Sequence, residues 1–589
     1  MVMNTSRGRT VLIAVITIFV VAVTGCDGFL NYSPKGVVNE EDVQGVDGVE
    51  RLTTAAYASL GNSDWLFSFE SNWLYGSVRS DDAYKGGGSL GDQSEMDWYE
   101  RFVFIQTDQG YQQRTWQALF EGISRANIAL QQINEVRENG PDDSSYPLQQ
   151  REAEMRFLRG HFYFRLAILF KNVPWIDETM TIDDVRQVSN VELSRDEILN
   201  RIAAEFQFAK DNLPDVQAEV GRASAVAAAA YLARTRLYQA YEQDENHNVI
   251  NINQDRLNQV IQEANYVIDS GKHDLFDDFG QNFITEYDNG PESVFAIQHS
   301  YDDGTEQGGR MNYEHGLNYN MASEYGCCWF HIPSHNMVNA FKTDETTGLP
   351  RFDTFNDEMV SDTDPGAYLD QTFDPRLSHT VAIPGHPFKY DADWLYEEGW
   401  ARQPELYGHH STMKEVQHPD QPGTQSWGPF WGSAKNVDVI RYSDVLLMKA
   451  EALIQVNRES EALPLINELR NRAAASTGMV RYADGSPPAD YYIEPYVDGD
   501  NINWTQENAM EALRWERRLE FAMESWRFFD LVRWGIAEEV LNDYFEVEQT
   551  RRSYLGEARF EANKNEYLPI PQQEIVLSEG LYQQNTGYN

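Results

Sequence analysis

Aromatic and polar residues alternate in three stretches of the sequence, and that mixture suits a hydroxyl-rich ligand. Residues 62–104 hold Trp65, Trp73, Tyr75, Tyr84, Trp98 and Tyr99 among Arg79, Asp81, Asp82, Asp92 and Asp97. Residues 311–330 hold Asn312, Tyr313, His315, Asn318, Tyr319, Tyr325 and Trp329. Residues 388–431 hold Trp394, Tyr396, Trp400, Tyr407, Trp427 and Trp431. An aromatic ring gives an apolar platform to the C–H face of a pyranose, while Asp, Asn and Arg bond its hydroxyls. Each hydrogen bond exchanged with water nets only about 0.5–1.5 kcal/mol, so the rings supply much of the gain. The run Gly86-Gly87-Gly88 gives the first stretch a flexible middle. The alternative for any one ring is a place in the core. Polar or glycine neighbours make Trp98, Tyr99 and Trp329 the rings least suited to that alternative.

Other patterns spell out chemistry, and each lacks a part it needs. Gly86, Gly88 and Gly91 match G-x-G-x-x-G. The dinucleotide fingerprint also requires a preceding hydrophobic strand and a following helix, and here DQSEMDWY follows. Cys327, Cys328, His331 and His335 have a spacing open to zinc, but Pro333 disfavours the helix that would align the histidines. Adjacent Cα atoms about 3.8 Å apart fall below the usual disulfide range of roughly 4.4–6.8 Å. Buried free thiols or a strained vicinal bridge remain open. Asp362 with Asp364, or Asp498 with Asp500, offers oxygens to Ca2+ without the full loop pattern; no other cofactor has support. A glycoside hydrolase needs two carboxyls roughly 5–9.5 Å apart, one with a raised pKa. Among 93 acidic residues the sequence nominates no pair, so no catalytic residue is assigned.

The start of the chain reads as an address. Arg7 and Arg9 precede the apolar run 11–23, which is broken only by Thr17. As a helix that run rises about 20 Å, short of a bilayer core of about 30 Å, so residues 1–25 read as a secretory signal. Val23-Thr24-Gly25-Cys26 has the form of a lipobox, with Cys26 acylated and becoming the new N-terminus. Several acyl chains anchor a protein stably where one does not. Residues 26–45 then read as a tether.

The 93 acids face 47 bases, 36 Arg and 11 Lys, for a net charge of −46. That charge repels phosphate, which excludes nucleic-acid binding by counterion release. Three cysteines cannot staple a scaffold, and 13% aromatic content argues against a disordered acidic chain. Molar salt shortens the Debye length to roughly 3 Å and screens the self-repulsion, so the composition suits a halophilic acidic surface.

Helical periodicity must position these stretches. It predicts helices over 114–137, with Trp116, Leu119, Phe120, Ile123, Ala126, Ile128, Leu130 and Ile133 along one stripe, and over 152–171, stopped by Pro174. Two helix hairpins follow, 222–242 with 255–270 and 440–456 with 459–474, in the manner of tetratricopeptide repeats. A long helix over about 505–534 places Glu516, Arg517, Glu520, Glu524 and Arg527 three or four apart, spaced to pair along one side. Trp515, Leu519, Ala522, Trp526 and Phe529 lie on its other side, which reads as scaffold rather than binding surface. Between about 275 and 435 no period persists, and long irregular stretches of this kind are usually functional.

Six pieces in chain order also carry a family resemblance: AEMRFLRGHFYFRLAILFKNVPW (153–175), GRASAVAAAAYLARTRLY (221–238), DPRLSHTVAIPG (374–385), IRYSDVLLMKAEAL (440–453), LRWERRLEFAMESWRFFDLVRWG (513–535) and YLPIPQQEI (567–575). With the start Cys26-Asp27-Gly28-Phe29-Leu30, they make the chain resemble the SusD/RagB family of outer-membrane nutrient-binding lipoproteins. The resemblance implies a mainly α fold, a tetratricopeptide-like helix-pair scaffold with a loop-rich irregular ligand-binding face. One domain, 46–589, would have helices in 46–274 and 436–589 and the loop-rich region in 275–435. It further implies a lipid-anchored, surface-exposed outer-membrane protein that binds oligosaccharides without chemistry of its own. Such a protein delivers them to a SusC-like TonB-dependent transporter. A peptide ligand, as in the RagB branch, is the alternative, with a repeat-based scaffold and a glycoside hydrolase more remote. In similar proteins the site draws on loops in the first two aromatic stretches. The expected ligand-binding residues are therefore Trp98, Tyr99, Trp329, Tyr319, Tyr325, Tyr313, Asp97, Arg79, Asp82 and Tyr84.

Overall fold

The computed structural model describes residues 44–61, 71–140, 146–305 and 309–588. The signal segment, Cys26, nearly all of the tether and Trp65 lie outside the described residues. Eight helices form a continuous packed series: α1 (Gly45–Tyr57), then, after the short α2 (Ser94–Arg101), α3 (Gly110–Asn139), α4 (Leu148–Phe170), α5 (Arg195–Asn212), α6 (Ala225–Ala240), α7 (Gln254–Asp269), α8 (Tyr442–Gln455) and α9 (Glu459–Ala475). Apart from α2, each packs on the next.

Local chemistry explains these helices. α3 buries Trp116, Leu119, Ile123, Ala126, Leu130 and Ile133 as its spacing predicts, but Ile128 falls off the stripe and is largely exposed. α4 is buried on all sides from Phe157 to Phe170, the mark of a central helix. It ends at Lys171, whose φ is +58°, three residues before Pro174. Ser194 and Glu197 form a capping box that starts α5. Ala225, Ala227, Ala228, Ala229 and Ala230 are fully buried in α6, where small side chains let α5 and α7 approach closely. α7 packs on α8 although residues 270–441 intervene, so the two hairpins stack into one scaffold.

The expected helix over 505–534 is two helices, α10 (Gln506–Glu520) and α11 (Arg527–Trp534). The turn between them puts Met523 and Ser525 at φ +65° and +68°. It fits against Gly76, where a Cβ would lie 1.8 Å from the Ser525 carbonyl oxygen. Helix α12 (Ala537–Glu548) follows.

The charges of α10 do not pair along the helix. Glu516 and Glu520 are fully buried and bond partners on other elements. Glu520 accepts from Arg376 (3.1 Å), Arg441 (2.9 Å) and Arg472 (2.6 Å). Glu516 accepts from Arg376 (2.6 Å), Arg517 donates to Asp444 and Asp530, and Arg527 forks onto Asp81. This ionic core joins the helical scaffold to the loops.

Among the described residues the loop region holds small two-stranded sheets. Ser293–Ile297 pairs antiparallel with Val437–Arg441 and closes the stem of the irregular region. Ala83–Gly86 pairs antiparallel with Phe330–Pro333, which brings the first two aromatic stretches together. The glycine run serves that pairing: Gly86 and Gly87 have φ of +80° and +81°, and a Cβ on Gly86 would lie 2.5 Å from the Trp329 carbonyl oxygen. It is a close-approach device rather than a loose ligand loop.

Candidate ligand-binding face

Beside the main core lies a second, aromatic cluster drawn from residues 319–431 of the loop-rich region. Tyr319, Tyr325, Phe388, Tyr396 and Trp400 are buried in it, with Tyr390, Trp394 and Trp431 packed against it and partly open. Trp394 is carried by the strand Asp391–Leu395. Trp431 is carried by a hairpin that pairs Gln425–Trp427 with Phe430–Gly432 around Gly428-Pro429. Tyr325 ends a turn closed by its N–H to the Ala322 carbonyl.

These supports set an arc of three rings. The Tyr325 ring lies 5.9 Å from Trp394 and 5.4 Å from Trp431, centroid to centroid. Trp431 Nε1 donates to the Tyr325 carbonyl (2.8 Å), and the Tyr325 hydroxyl donates to the Gln417 carbonyl (2.7 Å). Burial raises the Tyr325 phenol well above its ordinary pKa, helped by Tyr319 and Glu324, so it remains a neutral donor. The His418 ring meets Trp394 edge-on at 4.7 Å and has Asp391 3.5 Å from its Nε2. Ser323, Glu324, Asp393 and Asp420 are exposed on the same loops. Two half-open indoles, Trp431 held by a backbone hydrogen bond and Trp394 by ring contacts, surrounded by acceptors, are what a pyranose needs.

The expected site residues are dispersed by comparison. Tyr84, Tyr99 and Trp329 have no exposed surface. The Tyr84 hydroxyl donates to Glu548, that of Tyr99 to Gln112 (3.1 Å), and Trp329 Nε1 to the His410 carbonyl (3.2 Å). Arg79 is buried over the Phe528 ring at 4.1 Å and donates to the Asn565 carbonyl. Asp97 is buried and accepts from Arg101 Nε (3.0 Å). Asp82 is buried beside Arg518; burial, opposed by Arg518 and reinforced by Asp81, pushes its carboxyl up to about 6. Tyr319 is buried within the cluster. These seven meet the interior and offer a ligand no face; the Ala83–Gly86 and Phe330–Pro333 pairing draws the segments of Tyr84 and Trp329 inward.

Three expected residues keep a place at the surface or beside it. Tyr325 is buried at the base of the arc, beside its two half-open indoles. Tyr313 is half-open, with its ring across the hairpin where a Cβ on Gly432 would lie 2.6 Å from Cε1. Trp98 is half-open and meets the largely exposed Phe104 edge-on at 6.5 Å, away from the cluster. From sequence the third stretch ranks below the first two, and Trp394 and Trp431 fall outside the expected site. The pattern Trp-Gly-Pro-Phe-Trp was the available signal: a two-residue turn between aromatics marks a hairpin whose tip reaches solvent.

The zinc spacing dissolves in three dimensions. A disulfide joins Cys327 to Cys328; His331 Nδ1 bonds Glu415 at 2.8 Å, while His335 turns to Asp362 and Arg552. Among the described residues no group of His, Cys, Asp and Glu could hold a metal ion. Asp362 bonds the His409 N–H, Asp364 caps the turn Pro365–Tyr368 and Asp498 accepts from the Trp504 N–H.

The stacked helix-pair scaffold thus carries an aromatic face. Residues 291–588 match the SusD family, and residues 52–237 match a family described as starch-binding, associating with the outer membrane. The chain belongs to the SusD family. It is 23% identical to SusD-like protein P2 of Formosa agariphila over 97% of this chain and 98% of that one. A laminarin-binding SusD-like protein superposes with TM-score 0.64 at 22% identity, covering 92% of this chain and all of that one. Surface glycan-binding protein A of Bacteroides thetaiotaomicron, solved with laminarihexaose, gives 0.60 at 19% identity, with 92% and 100% covered.

Proposed function

We propose that this protein captures an oligosaccharide on the Trp394–Tyr325–Trp431 arc and passes it to a SusC-like TonB-dependent transporter, tethered to the outer membrane through acylated Cys26. The arc carries the reading. It combines two partly open indoles with neighbouring acceptors, on loops that the ionic core ties to a rigid scaffold. Family membership supports carbohydrate as the ligand class, and two structural neighbours bind laminarin or a fragment of it. The lipobox sequence supports the anchor, and the transporter partner follows from the family resemblance.

Affinity electrophoresis through gels containing laminarin and other neutral polysaccharides tests the site. Retention of the wild type should be lost in Trp394→Ala/Trp431→Ala and kept in Trp98→Ala/Phe104→Ala. The reverse pattern moves the site to the Trp98–Phe104 pair. Retention by no glycan, with binding of a peptide mixture instead, overturns the carbohydrate reading in favour of the RagB branch.

A further inference from the structure

On the helical side, away from the aromatic arc, a cleft of about 630 Å³ opens between α10 and α12. Its volume falls within the roughly 300–1,000 Å³ usual for ligand sites. On α10 the lining residues Glu507, Glu511, Arg514, Trp515 and Arg518 fall at the three- and four-residue spacing of one helical face. Ile536, just before α12, with Val540 and Val547 on it, gives the opposite wall a matching apolar stripe. Val547 is 39% exposed, and Ile536 and Val540, packed against the core on one side, are half-buried and line the cleft on the other.

The cleft has a platform, donors and acceptors. The half-open Trp515 ring is fixed by edge contacts from Phe355 at 5.0 Å and Phe352 at 5.8 Å. Arg518 and Arg527 at the floor are held by Asp81. Arg514 differs from them: it lies over the Trp534 ring at 5.4 Å and has no ion pair or hydrogen bond among the described residues. Its Nε is buried without an acceptor. Across the opening, Asp353 and Glu511 are close enough that Asp353 adds to the upward shift which burial imposes on the Glu511 carboxyl. Asp543 lines the same opening from α12.

Mixed charge decides the ligand class. A cation would meet Arg514, which no carboxylate pairs among the described residues, and an anion the rim carboxylates Asp353, Glu507, Glu511 and Asp543, each against its own sign. A neutral polyol uses both, accepting from Arg514 and donating to Glu511 and Asp353, while its C–H faces lie on Trp515 and the Val540 stripe. We propose that this cleft is a second site for a neutral oligosaccharide, independent of the aromatic arc. The inference rests on the carbohydrate reading above.

Hydrogen-exchange mass spectrometry on the intact soluble chain, with maltohexaose, laminarihexaose, cellohexaose and xylohexaose in turn, tests it. At least one should slow exchange in 507–515 and 540–547, and should do so equally in Trp394→Ala/Trp431→Ala. Glu511→Gln and Arg514→Gln, each at a partly open position, should weaken that protection about tenfold without changing protection in 391–431. Protection confined to 391–431 overturns the cleft site and leaves the arc standing. Protection of the cleft by a lysine hexapeptide in place of every saccharide, or of neither region by any saccharide, also overturns it. The last result removes the arc reading too.

Discussion

Trp329 and Trp394 are both indoles of the loop-rich region 275–435, and their environments give them opposite roles. Trp329 is fully enclosed and donates to a backbone carbonyl, so Trp329→Ala leaves a cavity and an unpaired acceptor. A loss of about 3–5 kcal/mol is expected in urea unfolding. Trp394 is half-open, and Trp394→Ala should weaken glycan binding about fivefold, the effect of roughly 1 kcal/mol of lost ring contact, with folding little changed. Equal loss of stability in the two variants would refute this division. Glu100 supplies a prediction of pH dependence. Its Oε1 accepts from the Tyr554 hydroxyl (2.6 Å), whereas Oε2 is buried without a partner. Burial, opposed by that hydroxyl and Lys85 and reinforced by Asp97, pushes its carboxyl from 4.5 up to about 8. Between these values the folded state holds a proton that the unfolded state has released, so stability falls as pH rises through the window. Urea midpoints for Glu100→Gln should decline less than wild type from pH 4.5 to 8; parallel curves would refute the assignment.

At the scale of elements, α10 is the joint between scaffold and loops. Burial alone would raise the Glu520 carboxyl, but Arg472, Arg441 and Arg376 outweigh it and hold it well below the usual carboxylate range. Its contribution is therefore present above pH 4.5 and lost as the pH falls below that, the reverse of Glu100. Removing one partner of a buried ionic cluster leaves the others uncompensated, at a cost of about 3–5 kcal/mol. Glu520→Gln should show that loss in urea unfolding at pH 7, with a smaller difference from wild type near pH 3. The sequence showed these charges at helical spacing, which suggests pairing along one helix. Their partners at Arg376, Arg441 and Arg472 are distant in sequence, so spacing could not reveal them. The hairpins α6–α7 and α8–α9 were legible because their signal is local: apolar periodicity, small residues and short connections.

For the whole molecule, a net charge of −46 on one chain opposes compaction, and salt screens that opposition. The thermal midpoint should rise from 0.05 to 1 M NaCl; a flat or falling midpoint would mean that the buried ionic core, rather than surface repulsion, governs the response. The same charge bears on the two proposed sites. Both surround an aromatic platform with carboxylates, so binding of a neutral saccharide should change little across that salt range, whereas binding of a cationic peptide should fall steeply.

The sequence by itself determined the helical scaffold and the irregular insert, because periodicity is a property of contiguous residues. Tertiary structure decided which rings lie open. An indole on a turn and an indole on a strand look alike in sequence; pairing Ala83–Gly86 with Phe330–Pro333 turns Tyr84 and Trp329 inward, and the Gly428-Pro429 hairpin leaves Trp431 at the surface. It also decided where charge is buried and where helices stay apart, since both depend on contacts between segments that no local pattern encodes.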